Sequence, residues 1–254
     1  MSTSRPRYGW LFVPSPLLGP TSWGQVAATM VGLGQEPMIV DARMTSTADD
    51  DHIRPWLRQI VTMDPPGDGA PIVIASHSAA CPRTPLLVDE LLDRGWPIST
   101  MLLVDGRFPD GQPFTARQHY ATMLDRMVRP DDYLPPWPRW WGSLVEGLVV
   151  DPEARNLLLN EAPPIPRTWF DQGCPVPELP GHIGRGFLSF GPGYAQSCEQ
   201  AFDAGWLTMR LSGDHLHQMV APDKVAAALL AMVAGMSCGR GLPQADGPHD
   251  RDDG

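Results

Sequence analysis

A serine flanked by small residues is the first candidate for chemistry. Ser78 lies in the segment Ser76-His77-Ser78-Ala79-Ala80, in which the positions two residues before and two after the serine are small. An apolar run at 70–75 precedes this segment and a helical pattern at 79–94 follows it. A tight strand-to-helix turn of this kind excludes bulky neighbours, and it places the hydroxyl at a helix N-terminus, where negative charge is favoured. The pattern predicts a nucleophilic serine.

A histidine that could activate this serine lies near the end of the chain. His215 follows the apolar run at 207–211 and precedes a helical pattern that Pro222 opens. A histidine at that place can accept a proton from a serine hydroxyl. His217, two residues further on, is a second candidate, and we favour His215.

Asp105, a carboxylate that could orient the histidine, ends the apolar run at 100–105, and the run that ends at Phe190 is followed by Gly-Pro-Gly-Tyr194, without a carboxylate. The alternative interpretation is that Asp105 only caps the loop that follows it.

These segments resemble the α/β-hydrolase fold superfamily, as a small, capped member of the serine hydrolase and thioesterase type. Its nucleophile lies in the motif G-x-S-x-G, and Ser76 and Ala80 occupy the two glycine positions here. The resemblance implies that Ser78 is the nucleophile and His215 the base. Asp105 resembles the acid of haloalkane dehalogenases, which share the fold, and would accept the far N–H of the histidine. We also expect the two antiparallel strands that often begin this fold to be absent or rudimentary.

The resemblance also implies an oxyanion hole built from two backbone N–H groups. One belongs to Ala79, the residue after the nucleophile. The other comes from the loop after the first strand, where the family often has His-Gly and this chain has Pro14-Ser15, followed by Pro16. Because proline has no N–H, Leu17 must supply the second donor. Loss of one such donor costs on the order of 10²–10³ in rate.

Apolar runs without polar alternation, separated by helical patterns, predict the fold that must position these residues. We expect an α/β architecture with a mostly parallel sheet of about six strands and helices on both faces. The strands are expected at 8–13, 37–41, 70–75, 100–105, 186–190 and 207–211, and the helices at 21–34, 49–63, 79–94 and 222–236.

The chain divides into a core, an insertion and a tail. The core is expected at 1–106 and 183–236, and a disordered, Gly-rich and charged tail at 237–254. The Pro- and Trp-rich stretch 107–182, with helix-like pieces at 115–129 and 137–148, is expected to form a helical cap over the carboxyl edge of the sheet, where ligands bind in such folds. The residues expected to line an apolar substrate pocket there are Pro16, Trp137, Trp141 and Tyr194.

The composition excludes several other functions. The chain has 254 residues and a formal net charge of -10, so it lacks the basic surface that nucleic acid requires. No pair of its four cysteines has CxxC spacing, and no apolar run approaches the ~20 residues of a membrane span. We therefore expect a cytoplasmic protein without metal or cofactor, and with no nucleic-acid or membrane partner. Its partner is expected to be a small-molecule substrate, either free or linked to a carrier or peptide.

Two functions remain open from the sequence. The first is a serine hydrolase or acyltransferase that attacks an ester, thioester or amide of an apolar small molecule or biosynthetic intermediate. The second is a non-hydrolytic member of the same fold, such as an isomerase, lyase, cyclase or binding protein of specialised metabolism. The Ser78, Asp105 and His215 set favours the first, and the proline-flanked loop at Ser15 favours the second.

Overall fold

A six-stranded parallel sheet forms the core of the molecule in the computed structural model, which describes residues 6–41, 43, 53–60, 62–66, 69–142, 144–149 and 151–239. The strands are β1 (Gly9–Val13), β2 (Glu36–Ile39), β3 (Ile72–His77), β4 (Ile98–Val104), β7 (Gly184–Ser189) and β8 (Leu207–Arg210). Their order is β2-β1-β3-β4-β7-β8, and every neighbouring pair is parallel. The predicted α/β fold with a parallel sheet of about six strands is confirmed.

The central strands are largely apolar because both faces of the sheet are covered there. Successive side chains of a strand point to opposite faces. In β1, Trp10 and Phe12 join one buried cluster, while Leu11 and Val13 join another on the opposite face. All residues of β1 and β3 are buried, which explains why these strands appear in the sequence as uninterrupted apolar runs.

Helices cover both faces, as predicted. The helices are α1 (Thr21–Gly32), α2 (Arg54–Ile60), α3 (Thr84–Asp93), α4 (Gln118–Asp125), α5 (Leu144–Leu148), α6 (Pro152–Glu161), α7 (Ala195–Asp203), α8 (His217–Val220) and α9 (Pro222–Gly239). Residues of α1 and α9 pack on the face of Trp10, and residues of α2, α3 and α7 on the face of Leu11. Within the described residues, no helix has both the length and the hydropathy needed to cross a membrane.

Several boundaries differ from the sequence prediction; the second helix, for example, was expected to reach residue 63, and α2 ends at Ile60. The helix expected at 79–94 is a 3-10 helix (Ser78–Arg83) followed by α3. Pro82 lies inside the 3-10 helix and Pro85 in the first turn of α3, and a proline cannot donate a helical hydrogen bond. The prediction of a disordered tail from residue 237 is wrong for residues 237–239, which belong to α9. The rest of the predicted tail, 240–254, lies outside the described residues, as do residues 49–52 of the second predicted helix.

The insertion (residues 107–182) lies between β4 and β7 and packs as a separate apolar cluster. It contains α4, α5 and α6, three short 3-10 helices at 114–116, 137–141 and 167–171, and an antiparallel pair of strands, β5 (Tyr133–Leu134) and β6 (Ile165–Pro166). Its cluster includes Leu17 and Leu18 from the loop after β1, and Leu216 from the loop after β8. The insertion therefore packs against the loops that carry the predicted oxyanion donor and the predicted histidine.

Candidate active site

Ser78 follows β3 directly, in a strained turn. Its φ angle is +58°, which lies in the left-handed region that non-glycine residues rarely adopt. Such conformations persist where the surrounding structure enforces them. The turn packs closely against Gly106, where a Cβ would lie 2.4 Å from both the Ser78 carbonyl oxygen and Cys81 Sγ, so only glycine leaves room for it. The turn is the sharp strand-to-helix connection that the small residues around Ser78 predict.

The structure brings Ser78, His215 and Asp105 together in one hydrogen-bonded chain. His215 Nε2 lies 2.9 Å from Ser78 Oγ, and His215 Nδ1 lies 2.7 Å from Asp105 Oδ2. Both distances are within hydrogen-bond reach. Because a carboxylate only accepts, the Nδ1–H donates to Asp105 and leaves Nε2 free to accept the hydrogen of the serine hydroxyl. The arrangement can transfer the serine proton to the imidazole.

Asp105 is fixed from two neighbouring strands. It follows the last residue of β4, is 3% exposed, and has a positive φ of 43°. Its backbone N–H donates to the Leu188 carbonyl at 2.7 Å, and its Oδ1 accepts from the Phe190 N–H at 2.9 Å. The end of β7 therefore supplies a backbone donor that holds the Asp105 carboxylate. Sequence reasoning missed this contact, since it noted only that no carboxylate follows Phe190.

His77 holds the catalytic candidate His215 from a second side. Its Nε2 donates to the His215 carbonyl at 2.9 Å, and the two rings lie 4.7 Å apart between centroids. Burial, with a smaller contribution from the neighbouring His215, holds the pKa of His77 well below its usual value. The ring is therefore neutral. No signal in the sequence distinguishes this positioning contact from ordinary packing.

His217 is a packed side chain two residues from His215. Its ring lies 5.5 Å from the Phe190 ring between centroids, and a Cβ at Gly213 would lie 2.2 Å from its Nδ1. Burial lowers its pKa. Among the hydrogen bonds of the described residues, none joins the His217 side chain to Ser78 or Asp105.

The loop after β1 uses its own polar groups internally. The Leu17 N–H donates to Ser15 Oγ at 3.3 Å, and the Leu18 N–H donates to the Ser15 carbonyl at 2.9 Å. Ser15 is 1% exposed. Leu17 and Ala79 both line the cavity at Ser78, and Ala79 is in the first turn of its 3-10 helix, where backbone N–H groups have no intrahelical acceptor. The Ala79 donor is thus unused, whereas the Leu17 donor is already engaged.

A cavity of about 430 Å³ opens at Ser78 and His215, and its wall is largely aromatic. Three of the predicted pocket residues, Trp137, Trp141 and Tyr194, line it; the fourth, Pro16, is buried and is not among the lining residues. The Tyr194 ring lies 5.3 Å from the His215 ring, and burial raises the pKa of its phenol. The other aromatic lining residues are Phe114, Tyr120, Trp140 and Phe170.

The cavity wall also has a polar part, which was not anticipated from the sequence. It includes two arginines, Arg83 and Arg107, and two glutamines, Gln112 and Gln172. The insertion supplies Arg107 and both glutamines, whereas Arg83 ends the 3-10 helix that begins at Ser78. A buried arginine in the same short helix as Ser78 has no signature that spacing alone could reveal.

Comparisons with known proteins identify the architecture and leave the reaction open. No family model and no curated protein matches the sequence. Among solved structures, a variant of tomato methylketone synthase I in complex with β-ketoheptanoate has 14% identity and a TM-score of 0.68, covering 91% of this chain and 99% of the other. An extracellular α/β-hydrolase from a Paenibacillus species has 15% identity and a TM-score of 0.64, covering 89% and 98%.

A third similar structure is a pyrethroid hydrolase from Sphingobium faniae, with 11% identity, a TM-score of 0.60, and coverage of 90% of this chain and 98% of the other. At such identities the likeness concerns the course of the backbone. Nearly the full length of each of these three proteins is matched, and the parallel sheet and the turn at Ser78 agree with the same architecture. This chain has the α/β-hydrolase fold.

Proposed function

We propose that this chain is a serine hydrolase or acyltransferase that acts on an ester, thioester or amide of an apolar small molecule. The observation that carries the proposal is the unbroken hydrogen-bonded chain from Asp105 through His215 to Ser78 at the wall of an aromatic cavity. These three residue types in this order of contact form the arrangement that activates a serine for acyl transfer.

In the first half of the proposed reaction, Ser78 Oγ attacks the acyl carbon while His215 Nε2 accepts the hydroxyl proton. The imidazolium that forms is stabilised by Asp105, which stays ionised and keeps the Nδ1–H in place. The carbonyl oxygen gains negative charge, and the Ala79 N–H is positioned to stabilise it. Collapse of the tetrahedral intermediate breaks the bond to the leaving group, which takes the proton from His215 and departs.

In the second half, water or another acceptor resolves the acyl-enzyme. His215 accepts a proton from the incoming nucleophile, which attacks the acyl carbon, and Ser78 regains its proton as the acyl group leaves. Whether the product is an acid or a transferred acyl group then depends on which acceptor reaches the cavity.

The insertion is proposed to act as the cap that selects the substrate. It contributes most of the aromatic wall, including Trp137, Trp140 and Phe170, and such a wall favours an apolar substrate body. The substrate is proposed to be free or linked to a carrier or peptide. One of the similar solved structures is a hydrolase named for pyrethroids, so the same architecture supports hydrolysis in that protein.

Intact-mass measurement after treatment with a fluorophosphonate tests the proposal. The native chain is expected to gain one phosphonyl adduct and to hydrolyse p-nitrophenyl esters, and Ser78→Ala is expected to lose both properties. Ser212→Ala, a substitution of an exposed serine close to His215 in the chain, is the matched control and should keep both. An adduct that persists in Ser78→Ala would place the nucleophile elsewhere.

A non-hydrolytic reaction is the second candidate, and the loop after β1 favours it. Pro14 and Pro16 have no N–H, and the Leu17 N–H is already bonded to Ser15 Oγ, so of the two predicted backbone donors Leu17 is not available in this arrangement. A synthase of the same fold binds β-ketoheptanoate, so this architecture is not restricted to hydrolases. Ester hydrolysis at background level, together with tight binding of a cognate small molecule that Ser78→Ala does not weaken, would favour this candidate.

A further inference from the structure

Arg83 is a buried cation at the wall of the proposed substrate cavity. Its side chain lines the cavity, the residue is only 5% exposed, and its guanidinium carbon lies 3.8 Å from the centroid of the Trp169 ring. Burial lowers its pKa to about 10, which leaves the guanidinium charged at neutral pH. A buried charge is costly unless it is paired with an opposite charge.

No opposite charge in the described part of the chain satisfies this guanidinium. The ion pairs of the described residues do not include Arg83, its Nε lacks a hydrogen-bond partner, and no carboxylate is among the residues that line the cavity. The stacking on Trp169 occupies one face of the guanidinium plane, and the donors at its edge are left for a ligand.

Arg107, the other arginine of the cavity wall, differs from Arg83 because its guanidinium has an opposite charge beside it. Its guanidinium forms an ion pair with Asp110 and donates to the carbonyls of Gln112 and Pro113. The cavity wall therefore carries one positive charge without a counter-ion, in a protein whose formal net charge is -10. A single unpaired guanidinium matches a monoanion with a planar, bidentate oxygen pair, which is the geometry of a carboxylate.

We propose that Arg83 binds a carboxylate group of the substrate, remote from the bond that Ser78 attacks. The inference rests on the proposed acyl-transfer function, and it assigns the substrate class as acyl compounds with a carboxylate at the far end of a medium-length apolar chain. Five residues of a 3-10 helix separate the Cα atoms of Ser78 and Arg83 by about 10 Å. The aromatic wall contacts the chain between the two ends, and Gln112 and Gln172 border the same cavity.

A purely structural role for Arg83 makes a different prediction. If its stacking on Trp169 served only to join the insertion to the core, its loss would impair every substrate alike and would destabilise the fold. Binding of a substrate carboxylate predicts a loss confined to carboxylate substrates. It also predicts that Arg83→Met melts at an equal or higher temperature, since an unpaired buried charge is removed and an apolar side chain of similar length replaces it.

The experiment compares two p-nitrophenyl esters of equal chain length, the neutral octanoate and the mono-ester of octanedioic acid, which ends in a carboxylate. We expect the native enzyme to prefer the second ester. In Arg83→Met, the ratio of kcat/KM for the carboxylate ester to kcat/KM for the octanoate ester is expected to fall roughly 10- to 150-fold, the loss typical of a hydrogen bond to a charged group. Arg83→Lys keeps the charge and loses the planar pair of donors, so its kcat/KM for the carboxylate ester should lie between the values of the native enzyme and Arg83→Met. An equal loss for both esters, or no preference in the native enzyme, would overturn the proposal.

A binding measurement separates this proposal from the proposed reaction. In Ser78→Ala, quenching of tryptophan fluorescence reports the affinity for octanoate and for octanamide, which have equal chain length and differ in charge. Tighter binding of octanoate that Arg83→Met removes supports the carboxylate site even if neither ester is hydrolysed, a result that would defeat only the acyl-transfer proposal. Equal affinities for the two ligands would defeat the carboxylate site and leave the acyl-transfer proposal intact. The native chain gives the same comparison should Arg83→Met fail to fold.

Discussion

The two halves of the site differ in how completely they are prepared for acyl transfer. On the acid–base side, both ring nitrogens of His215, its carbonyl oxygen, and both carboxylate oxygens of Asp105 have hydrogen-bond partners. On the oxyanion side, the loop after β1 binds its own Leu17 N–H through Ser15. In the proposed reaction, activation of Ser78 is therefore preorganised, whereas an oxyanion could use the Leu17 N–H only if this donor gives up its bond to Ser15.

Removal of the proposed nucleophile or the proposed base should have the largest effect on kcat, and it tests the acid–base side of the site. We expect Ser78→Ala and His215→Ala each to lower kcat for a p-nitrophenyl ester by on the order of 10⁶-fold, the effect typical of serine and histidine that act as one unit. Their combination should cost little more than either change alone. His217→Gln is the matched control and should keep kcat, because that side chain only packs. A comparable loss in His217→Gln would reverse the choice of base.

Loss of the charge on Asp105 should have the next largest effect. Asp105→Asn keeps an oxygen that can accept from the Phe190 N–H, but its amide presents N–H to His215 Nδ1 and selects the wrong tautomer. We expect kcat to fall on the order of 10⁴-fold with the fold intact. Asp214→Asn, beside His215 in the chain and exposed, is the control and should have nearly native kcat. Native activity in Asp105→Asn would mean that Asp105 only caps the loop that follows it.

The predictability of the fold from sequence follows from what is buried. Strands covered on both faces are mostly apolar, so their positions could be predicted to within two residues. Helix α7 was missed because its two buried residues, Ser197 and Ala201, have small side chains, while its large apolar residue Phe202 is exposed. The paired strands β5 and β6 were missed because two residues are too few for any pattern. Elements stabilised mainly by tertiary contacts leave weak local signals.

The site, like the fold, combines features that have a local sequence signal with features that depend on tertiary contacts. That Ser78, Asp105 and His215 lie together could be expected because each is at or shortly after the end of a predicted strand, and the carboxyl ends of parallel strands meet at one edge. The Phe190 N–H that holds Asp105 and the Ser15 hydroxyl that holds Leu17 could not be predicted, because they depend on where a backbone group or a rotamer points. The unpaired state of Arg83 was not predictable either, since it depends on the absence of a neighbouring carboxylate in space.

A smaller effect is expected on the pH dependence of the free energy of unfolding, and it tests whether His77, which supports the acid–base side, is neutral in the folded chain. Burial lowers the pKa of folded His77 below the unfolded value of about 6.5. Below pH 6.5 the unfolded chain binds a proton that the folded chain does not, so the free energy of unfolding falls as pH falls, by up to about 1.4 kcal/mol per pH unit. His77→Phe, which keeps an aromatic ring and cannot titrate, should remove this part of the slope between pH 6.5 and 5.5.

Urea unfolding of the native chain and His77→Phe at pH 7.5, 6.5 and 5.5 measures that slope. The variant is expected to be the less stable protein at pH 7.5, because the His215 carbonyl loses its donor. The difference in free energy of unfolding between the two proteins should be smaller at pH 5.5. His217, whose pKa burial also lowers, contributes equally to both proteins and cancels from the difference. Identical slopes would mean that His77 is protonated in the folded chain, against its lowered pKa.

The smallest expected effect is on kcat in Ser15→Ala, which tests the oxyanion side of the site. Ser15→Ala removes the oxygen that accepts from the Leu17 N–H, so this donor no longer has to give up a partner when an oxyanion forms. A neutral hydrogen bond contributes about 0.5–1.5 kcal/mol, so kcat for a p-nitrophenyl ester should rise about 2- to 12-fold with KM unchanged. Ser15→Cys, which leaves a weaker acceptor, should lie between the native chain and Ser15→Ala. An unchanged kcat would mean that the Leu17 N–H does not reach the oxyanion, which would favour the non-hydrolytic candidate. A fall in kcat would mean that the bond to Ser15 holds the loop in its productive shape, so that both halves of the site are prepared after all.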